Sequence, residues 1–246
     1  MKNLFLFVFL LIGFPCVSQV KVQPGMEIFD AKWLTDRTWK MNMVMVSNGS
    51  SRELGIIQND WRKKGGELEI ITQVVLPGLP PQSWVDSLTV DWLTLAPIRH
   101  KSVNMQRDIL INYGSKVDGY YLDKGTKVKT PFSYSVKEPV FDSGFYLSLF
   151  QLMFLESIDS PIEVNIFDFK PEGKQGVLKA FITNVEIGWH TSKTGEKIEV
   201  WIVESYDTIG NQNKTISYIS KSTRNLIKQE TLDNQGNGMI LEIIYP

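Results

Sequence analysis

The chain has 246 residues and a formal net charge of −1, with 26 Lys and Arg against 27 Asp and Glu. This balance excludes a strongly basic surface for nucleic acid or for an anionic membrane. A single cysteine excludes an intrachain disulfide framework and a cysteine-based metal site, so we expect one hydrophobic core to stabilise the fold.

The first residues have the pattern of a secretory signal peptide. Lys2 precedes a largely apolar run at residues 4–14, which is shorter than the roughly 20 residues that a membrane span needs. We predict cleavage after Ser18, then a loose segment at residues 19–32 and a single β domain at residues 33–246. No later run is long and apolar enough to span a membrane. We therefore expect an exported bacterial protein in the periplasm, associated with the cell envelope, or secreted.

Alternation of apolar and polar residues predicts β-strands through most of the chain. Within residues 38–49, 66–75 and 86–92 the apolar positions of one face are Trp39, Met41, Met43 and Met45, then Leu68 and Ile70, then Leu88, Val90 and Trp92. Further strands are predicted at residues 53–61, 107–113, 116–122, 163–169, 176–187, 197–206, 215–221, 225–231 and 239–245. Turns rich in Gly and Asn separate them, which indicates an antiparallel arrangement.

Residues 141–161 break the alternation and predict the main helix. Apolar residues recur at helical spacing on two faces, Phe145, Leu149, Leu152 and Met153 on one and Tyr146, Phe150 and Phe154 on the other. A helix that is apolar all round must be covered on most sides. The predicted fold is therefore mostly β, an antiparallel β-barrel or strongly curved half-barrel, with this helix across its concave face.

Motifs of common enzymes are missing from the sequence. It has no nucleophile elbow, zinc-protease helix, phosphate loop or dinucleotide fingerprint. The two histidines, His100 and His190, are far apart in the chain and have no obvious orienting carboxylate beside them, so we expect both at the surface near strand ends. We predict no catalytic residue, no metal and no cofactor.

Acidic residues on or beside strands leave a glycan-acting hydrolase as an alternative. Such enzymes need two inward carboxylates about 5 to 10 Å apart. The candidates are Asp86, Asp91, Asp168, Glu199 and Glu204. Acidic residues opposite apolar ones are also the ordinary solvent face of a half-buried strand, so we rank this reading below a non-enzymatic one.

Four stretches carry a resemblance to a known kind of protein. They are "DSLTVDWLTLAPIRHKS" at 86–102, "FDSGFYLSLFQLMF" at 141–154, "VNIFDF" at 164–169 and "YISKSTRNLIKQE" at 218–230. Their order resembles that of uncharacterised exported β-barrel proteins of Gram-negative, Bacteroidetes-type bacteria. It is distantly similar to the periplasmic lipoprotein carriers and their receptor, whose curved sheet encloses an apolar cavity plugged by helix. That family has no established active site, so the resemblance assigns no residue a role.

Together these observations favour a protein that binds or carries a hydrophobic lipid or acyl ligand in the cell envelope. Methionine adapts to irregular apolar shapes, which suits such a ligand, although the same residues also form ordinary cores. The predicted cavity set is Trp39, Met41, Met43, Met45, Leu68, Ile70, Leu88, Val90, Trp92, Tyr146, Phe150 and Phe154. An alternative function is docking of another envelope protein through a sheet edge or an exposed apolar patch.

Overall fold

The computed structural model describes residues 20–80, 82–159, 161–210 and 213–245. The signal peptide predicted at residues 1–18 lies outside these ranges. Within them the chain folds as one extended β-sheet wrapped around a short central segment, residues 143–159.

Sixteen strands belong to this sheet in the described part of the chain. Their bounds are β1 Val20–Val22, β2 Arg37–Ser47, β3 Ser50–Lys64, β4 Glu67–Val75, β5 Val85–Asp91, β6 Pro97–Val103, β7 Arg107–Tyr113, β8 Val117–Asp123, β9 Lys129–Tyr134, β10 Phe141–Asp142, β11 Ile162–Asp168, β12 Gly176–Thr191, β13 Lys197–Asp207, β14 Lys214–Ser220, β15 Leu226–Leu232 and β16 Gly238–Ile244.

Two antiparallel meanders make up the sheet. Strands β2 to β9 form the first and β11 to β16 the second, and β16 pairs with β2 to join them. At one edge β1 and β10 run parallel to β11, and the other edge is β9. No ladder of hydrogen bonds links β9 to β1, β10 or β11 within the described residues, so the sheet is not closed. The predicted fold class, mostly β and barrel-like with one helix, is confirmed.

The helix itself is much shorter than the sequence predicts. Helix α1 covers only Tyr146–Leu149, and a single 3₁₀ turn follows at Leu155–Ser157. After α1, two backbone groups of this segment bond to the N-terminal stretch. Phe154 N donates to Ile28 O at 2.9 Å, and Leu152 O accepts from Asp30 N at 2.7 Å. These tertiary partners replace the bonds that a longer helix would make. No helix in the described ranges is both long and apolar enough to cross a membrane.

The stretch before β2 is packed, which differs from the loose segment that we expected at residues 19–32. Strand β1 pairs with β11, and Val22 is fully buried. Farther along, Phe29 forms a β-bridge to Met153, and Asp30 caps a 3₁₀ turn at Ala31–Trp33. These contacts cover the central segment on the side that the sheet leaves open.

The core has two parts. The larger lies between both meanders and the central segment, and Trp61, Phe145 and Ile182 are among its buried residues. The smaller lies between the two edges of the open sheet and contains Phe167 and Phe169 from β11 and the loop after it. Side-chain packing therefore fills the gap that the hydrogen-bond ladder leaves.

Candidate functional site

Most of the predicted cavity set lies in the packed core. Buried members of the main cluster are Leu68, Ile70, Leu88, Val90, Tyr146 and Phe150, with Trp39 and Trp92 packed against it. The sheet thus brings these side chains to one face, as the alternation predicts. They contact one another and the central segment, so this region holds the protein's own side chains where we expected a ligand.

The methionine stripe does not stay on one buried face. Met41 and Met43 are buried, whereas Met45 is 38% exposed. The register between β2 and β3 shifts between Met43 and Val44, opposite Gly55. The extra residue is Leu54 on β3, and β2 keeps an unbroken register with β16, so Met45 stays on the side of Met41 and Met43 but lies near the exposed end of the strand. Phe154, after α1, is only half-buried.

A large cleft opens beside the first residues of β2. Its volume is about 620 Å³, and β2, β16, the start of β13 and the turn between β14 and β15 surround it. Its apolar lining residues are Trp39, Ile198, Ile227, Ile243, Ile244 and Tyr245. Polar groups, among them Lys40 and Glu196, complete the lining. We call this the Trp39 cleft.

Unpaired hydrogen-bond donors lie at Trp39, which lines the cleft, and at its neighbour Arg37, which packs behind it. Trp39 packs edge-on against Trp61 at 5.7 Å between ring centroids, and the Arg37 guanidinium lies 3.9 Å from the Trp61 ring. Burial lowers the pKa of Arg37 to about 10. Trp39 Nε1 and two guanidinium nitrogens of Arg37 are buried without a partner among the described residues. Since buried donors are normally paired, this wall favours an acceptor group.

A second, polar site surrounds His100 of β6. His100 Nδ1 lies 2.8 Å from Asp142 Oδ2, and the Tyr113 hydroxyl donates to the same oxygen at 2.6 Å. The other carboxylate oxygen of Asp142 accepts from Gly144 N at 2.8 Å. Asp142 is fully buried and the His100 side chain is 14% exposed. Three groups, from two strands and a loop, thus converge on one carboxylate.

The pKa shifts in this cluster favour an ion pair. Burial alone would lower the pKa of His100, but the charge of Asp142 and its hydrogen bond raise it above 6.5. Burial would raise the pKa of Asp142, but His100 and Tyr113 hold it below 3.8. Burial and the neighbouring Asp142 charge raise the pKa of Tyr113 well above its ordinary value. The protons therefore stay on the imidazole and the phenol.

A smaller cavity adjoins the ion pair. Its volume is about 270 Å³, and the polar residues that line it are Asp86, His100, Ser102, Arg107, Ser143, Asp168 and Lys170. Ser143 Oγ donates to Asp168 Oδ1 at 2.8 Å, and Arg107 donates to Ser102 Oγ at 3.0 Å. Burial, with a smaller contribution from Asp142, raises the pKa of Asp168. We call this the His100 cavity.

The sequence did not reveal this site. We expected His100 at the surface without an orienting carboxylate, yet Asp142, 42 residues away, orients it. A polar "DS" pair inside an otherwise apolar segment was the available signal, but only the strand pairing joins it to β6. His190 lies near Tyr218 at 6.1 Å between ring centroids, away from His100.

The acidic residues considered for a hydrolase lie in three different settings. Asp86 and Asp168 line the same cavity. Asp91 accepts from the backbone of Leu93 and Thr94 in a turn. Glu199 and Glu204 pair with lysines at 2.9 and 2.6 Å. The described residues contain no cluster of three or more His, Cys, Asp or Glu arranged to hold a metal ion.

Comparison with known proteins adds a family and a fold. The sequence matches the family described as "Protein of unknown function (DUF3108)" over residues 46–240. No curated protein matches it. A crystal structure of a β-barrel-like protein of the domain of unknown function DUF1849 from Brucella abortus is similar, with a TM-score of 0.52 and 9% sequence identity. The likeness covers 86% of this chain and 96% of that chain, and at this identity it concerns the fold alone.

Proposed function

The chain belongs to the DUF3108 family of proteins of unknown function, and from that premise we propose that it binds an apolar, acyl-type ligand in the Trp39 cleft without altering it chemically. The observation that carries the proposal is the cleft itself. Its volume of about 620 Å³ lies within the range of roughly 300 to 1,000 Å³ that ligand sites occupy. Isoleucines from three strands and an indole give it an apolar wall.

The polar edge of the cleft suggests how the ligand lies. An acyl chain would follow the isoleucines, and its polar head would lie near Trp39, whose Nε1 has no partner among the described residues. This differs from the original expectation of a ligand deep under the central segment, because that space is occupied by core side chains. The proposed site is at the side of the sheet, where a long chain could enter without unfolding the core.

We also propose that this binding takes place in the cell envelope of a Gram-negative bacterium. The support is the signal-peptide pattern before Ser18 and the resemblance to periplasmic lipoprotein carriers. Fractionation of the native host, with sequencing of the mature N-terminus, tests it. A chain in the periplasmic fraction that begins at residue 19 is the expected result, and a cytoplasmic chain beginning at Met1 contradicts it.

Displacement of a fluorescent fatty-acid probe tests the ligand proposal. Trp39→Ala removes the indole from the cleft wall, so we expect probe affinity to fall at least about fivefold. Trp189→Ala is the matched control, because Trp189 is 65% exposed on β12 and does not line the cleft. Thermal unfolding of each variant checks folding. If the folded wild type takes up no acyl probe, or both variants bind it equally, the proposal is wrong.

A second candidate function, docking of another envelope protein, has its own observation. Strand β12 pairs with β11 only as far as Ile182, so residues 183–191 form a sheet edge without a described neighbour on that side. Ile187 and Trp189 on this edge are 53% and 65% exposed. An unpaired edge with exposed apolar side chains suits the addition of a strand. Co-purification of a stable partner that is lost in an Ile187→Lys variant would favour docking.

A further inference from the structure

The His100 cavity presents donors and acceptors together. Arg107 and Lys170 bring positive charge, and Asp86 and Asp168 bring carboxylates. His100 Nδ1 is engaged by Asp142, while its Nε2 has no hydrogen-bond partner among the described side chains and backbone. A simple anion would face the two carboxylates, and a simple cation would face the basic groups. The mixture therefore favours a neutral ligand.

One carboxylate oxygen of a residue that lines the cavity has no hydrogen-bond donor among the described residues. Asp86 Oδ2 accepts from Trp84 Nε1 at 3.2 Å, whereas Asp86 Oδ1 is buried without a partner in the described residues. A buried acceptor left unpaired costs free energy, so a ligand that donates to it gains affinity. A hydroxyl group can donate to Asp86 and accept from Arg107 at the same time.

The volume and the lining residues of the His100 cavity restrict the class of ligand further. The cavity volume of about 270 Å³ falls just below the roughly 300 Å³ at which sites for drug-sized ligands begin. Tyr121, Phe169 and Ile109 form apolar wall beside the polar groups. A sugar ring has this combination, with hydroxyls around its rim and C–H groups on its faces. A larger molecule would place only one such ring inside the cavity.

The polar groups are held in place by contacts of the protein itself. Asp142 fixes the His100 ring, and Ser143 fixes Asp168. Gly144 allows the close approach, because a Cβ there would lie 3.1 Å from Asp142 Oδ1 and 3.5 Å from His100 Cε1. Groups that are fixed in advance lose little entropy on binding, which favours a specific site.

From this geometry we infer that the His100 cavity is a second binding site, which takes a single hydroxyl-rich ring such as one sugar unit. Asp86 accepts from ring hydroxyls, and Arg107 and His100 donate to them. Asp142 is a positioning residue that orients His100. The site is separate from the Trp39 cleft, and the inference does not rest on acyl binding.

Saturation-transfer NMR on the full chain tests this inference. The probes are glucose, galactose, mannose and N-acetylglucosamine at millimolar concentration, with the corresponding disaccharides as a second arm. We expect transfer from at least one monosaccharide, and transfer from one ring only of a disaccharide that binds. Asp86→Asn keeps the side-chain size but removes the charged acceptor, so we expect at least about fivefold weaker binding.

Controls separate the possible outcomes. Glu53→Gln changes an exposed carboxylate on β3 and should leave sugar binding unchanged. Trp39→Ala should also leave it unchanged, which distinguishes the two sites. The inference is overturned if no sugar shows transfer from the folded wild type, if Asp86→Asn and Glu53→Gln bind equally well, or if acetate or phosphate occupies the cavity in preference to every sugar.

Discussion

At the scale of single residues, the buried pair of His100 and Asp142 is the most consequential interaction. It joins β6 of the first meander to β10 at the opposite edge of the sheet. Asp142 is fully buried, so its charge depends on the partners that His100, Tyr113 and Gly144 supply. Removing one partner from such a pair leaves the other charge unpaired and is strongly destabilising.

We therefore predict that Asp142→Asn lowers the free energy of unfolding by about 3 kcal/mol or more, measured by urea denaturation. The same variant should lower the pKa of His100 in an NMR titration, because its burial remains while the carboxylate is lost. Asp118→Asn is the control, since Asp118 is exposed and accepts only from Asn112 Nδ2. Equal stability of the two variants would contradict the prediction.

The pair also gives stability a defined pH dependence. The pKa of His100 is raised above 6.5 in the folded state, so its contribution is complete below 6.5 and is lost as the pH rises through the folded value. The pKa of Asp142 is lowered below 3.8, so its contribution is present above 3.8 and is lost as the pH falls through the folded value. The pair therefore contributes most between these limits.

We expect the difference in unfolding free energy between wild type and His100→Gln to be larger at about pH 5 than at about pH 9. Urea denaturation at the two pH values measures it. His190→Gln is the control. Burial lowers the pKa of His190, so the contribution of His190 to the free energy of unfolding increases as the pH rises. A difference for His100→Gln that does not change with pH would show that the pair is not ionised in the folded protein.

At the scale of elements, the packing of β7, β8 and β9 depends on Gly119. It lies opposite Ile111 on β7 and Phe132 on β9. A Cβ at this position would overlap the Leu110 carbonyl oxygen and lie 3.0 Å from the Phe132 ring. Because Gly119 has no side chain, the Phe132 ring can pack against β8 at this position and still contact Phe169 near the other edge of the sheet.

Gly119→Ala should therefore cost about 1 to 3 kcal/mol of unfolding free energy, by forcing β7 and Phe132 to move. Thermal or urea unfolding measures the loss. Gly66→Ala, in the turn between β3 and β4, is the control, because a Cβ there meets nothing within 4 Å. That control should be neutral or slightly stabilising. A Gly119→Ala protein as stable as the control would mean that β8 shifts freely.

Elements with regular alternation could be predicted, and those defined by tertiary contacts could not. The strand predicted at residues 107–113 coincides with β7, whereas β9 was missed because Pro131 interrupts its pattern. Pro131 lies on an edge strand, where a missing N–H is tolerated. The central segment became one helical turn because its backbone bonds to residues 28–30. The sequence placed Trp39 among the candidate site residues, but the pairing of His100 with Asp142 depends on β6 and β10, neither of which was predicted.

At the scale of the whole molecule, the open sheet is held together by aromatic side chains. Phe132 of β9 stacks on Phe169 at 3.9 Å between ring centroids, and Tyr134 contacts Phe167 at 5.6 Å. The Tyr134 hydroxyl also donates to Gln175 Oε1 at 2.7 Å. These contacts join β9, at one edge of the sheet, to β11 and the loop after it, near the other edge, without a backbone ladder. The ends are therefore coupled by side-chain packing and side-chain hydrogen bonds.

A double-mutant cycle on Phe132→Ala and Phe169→Ala tests this closure. The stacked pair should show a coupling energy of about 0.5 to 1.5 kcal/mol, and either single variant should speed amide exchange along β9. The matched control is the stacked pair Phe181 and Tyr206, at 4.8 Å on β12 and β13, where a ladder already joins the strands. Its variants should lose stability without exposing β9. If β9 amides exchange at the wild-type rate in Phe132→Ala, then the Phe132–Phe169 stack does not hold the open edge, and the contacts of Tyr134 with Phe167 and Gln175 become the next to test.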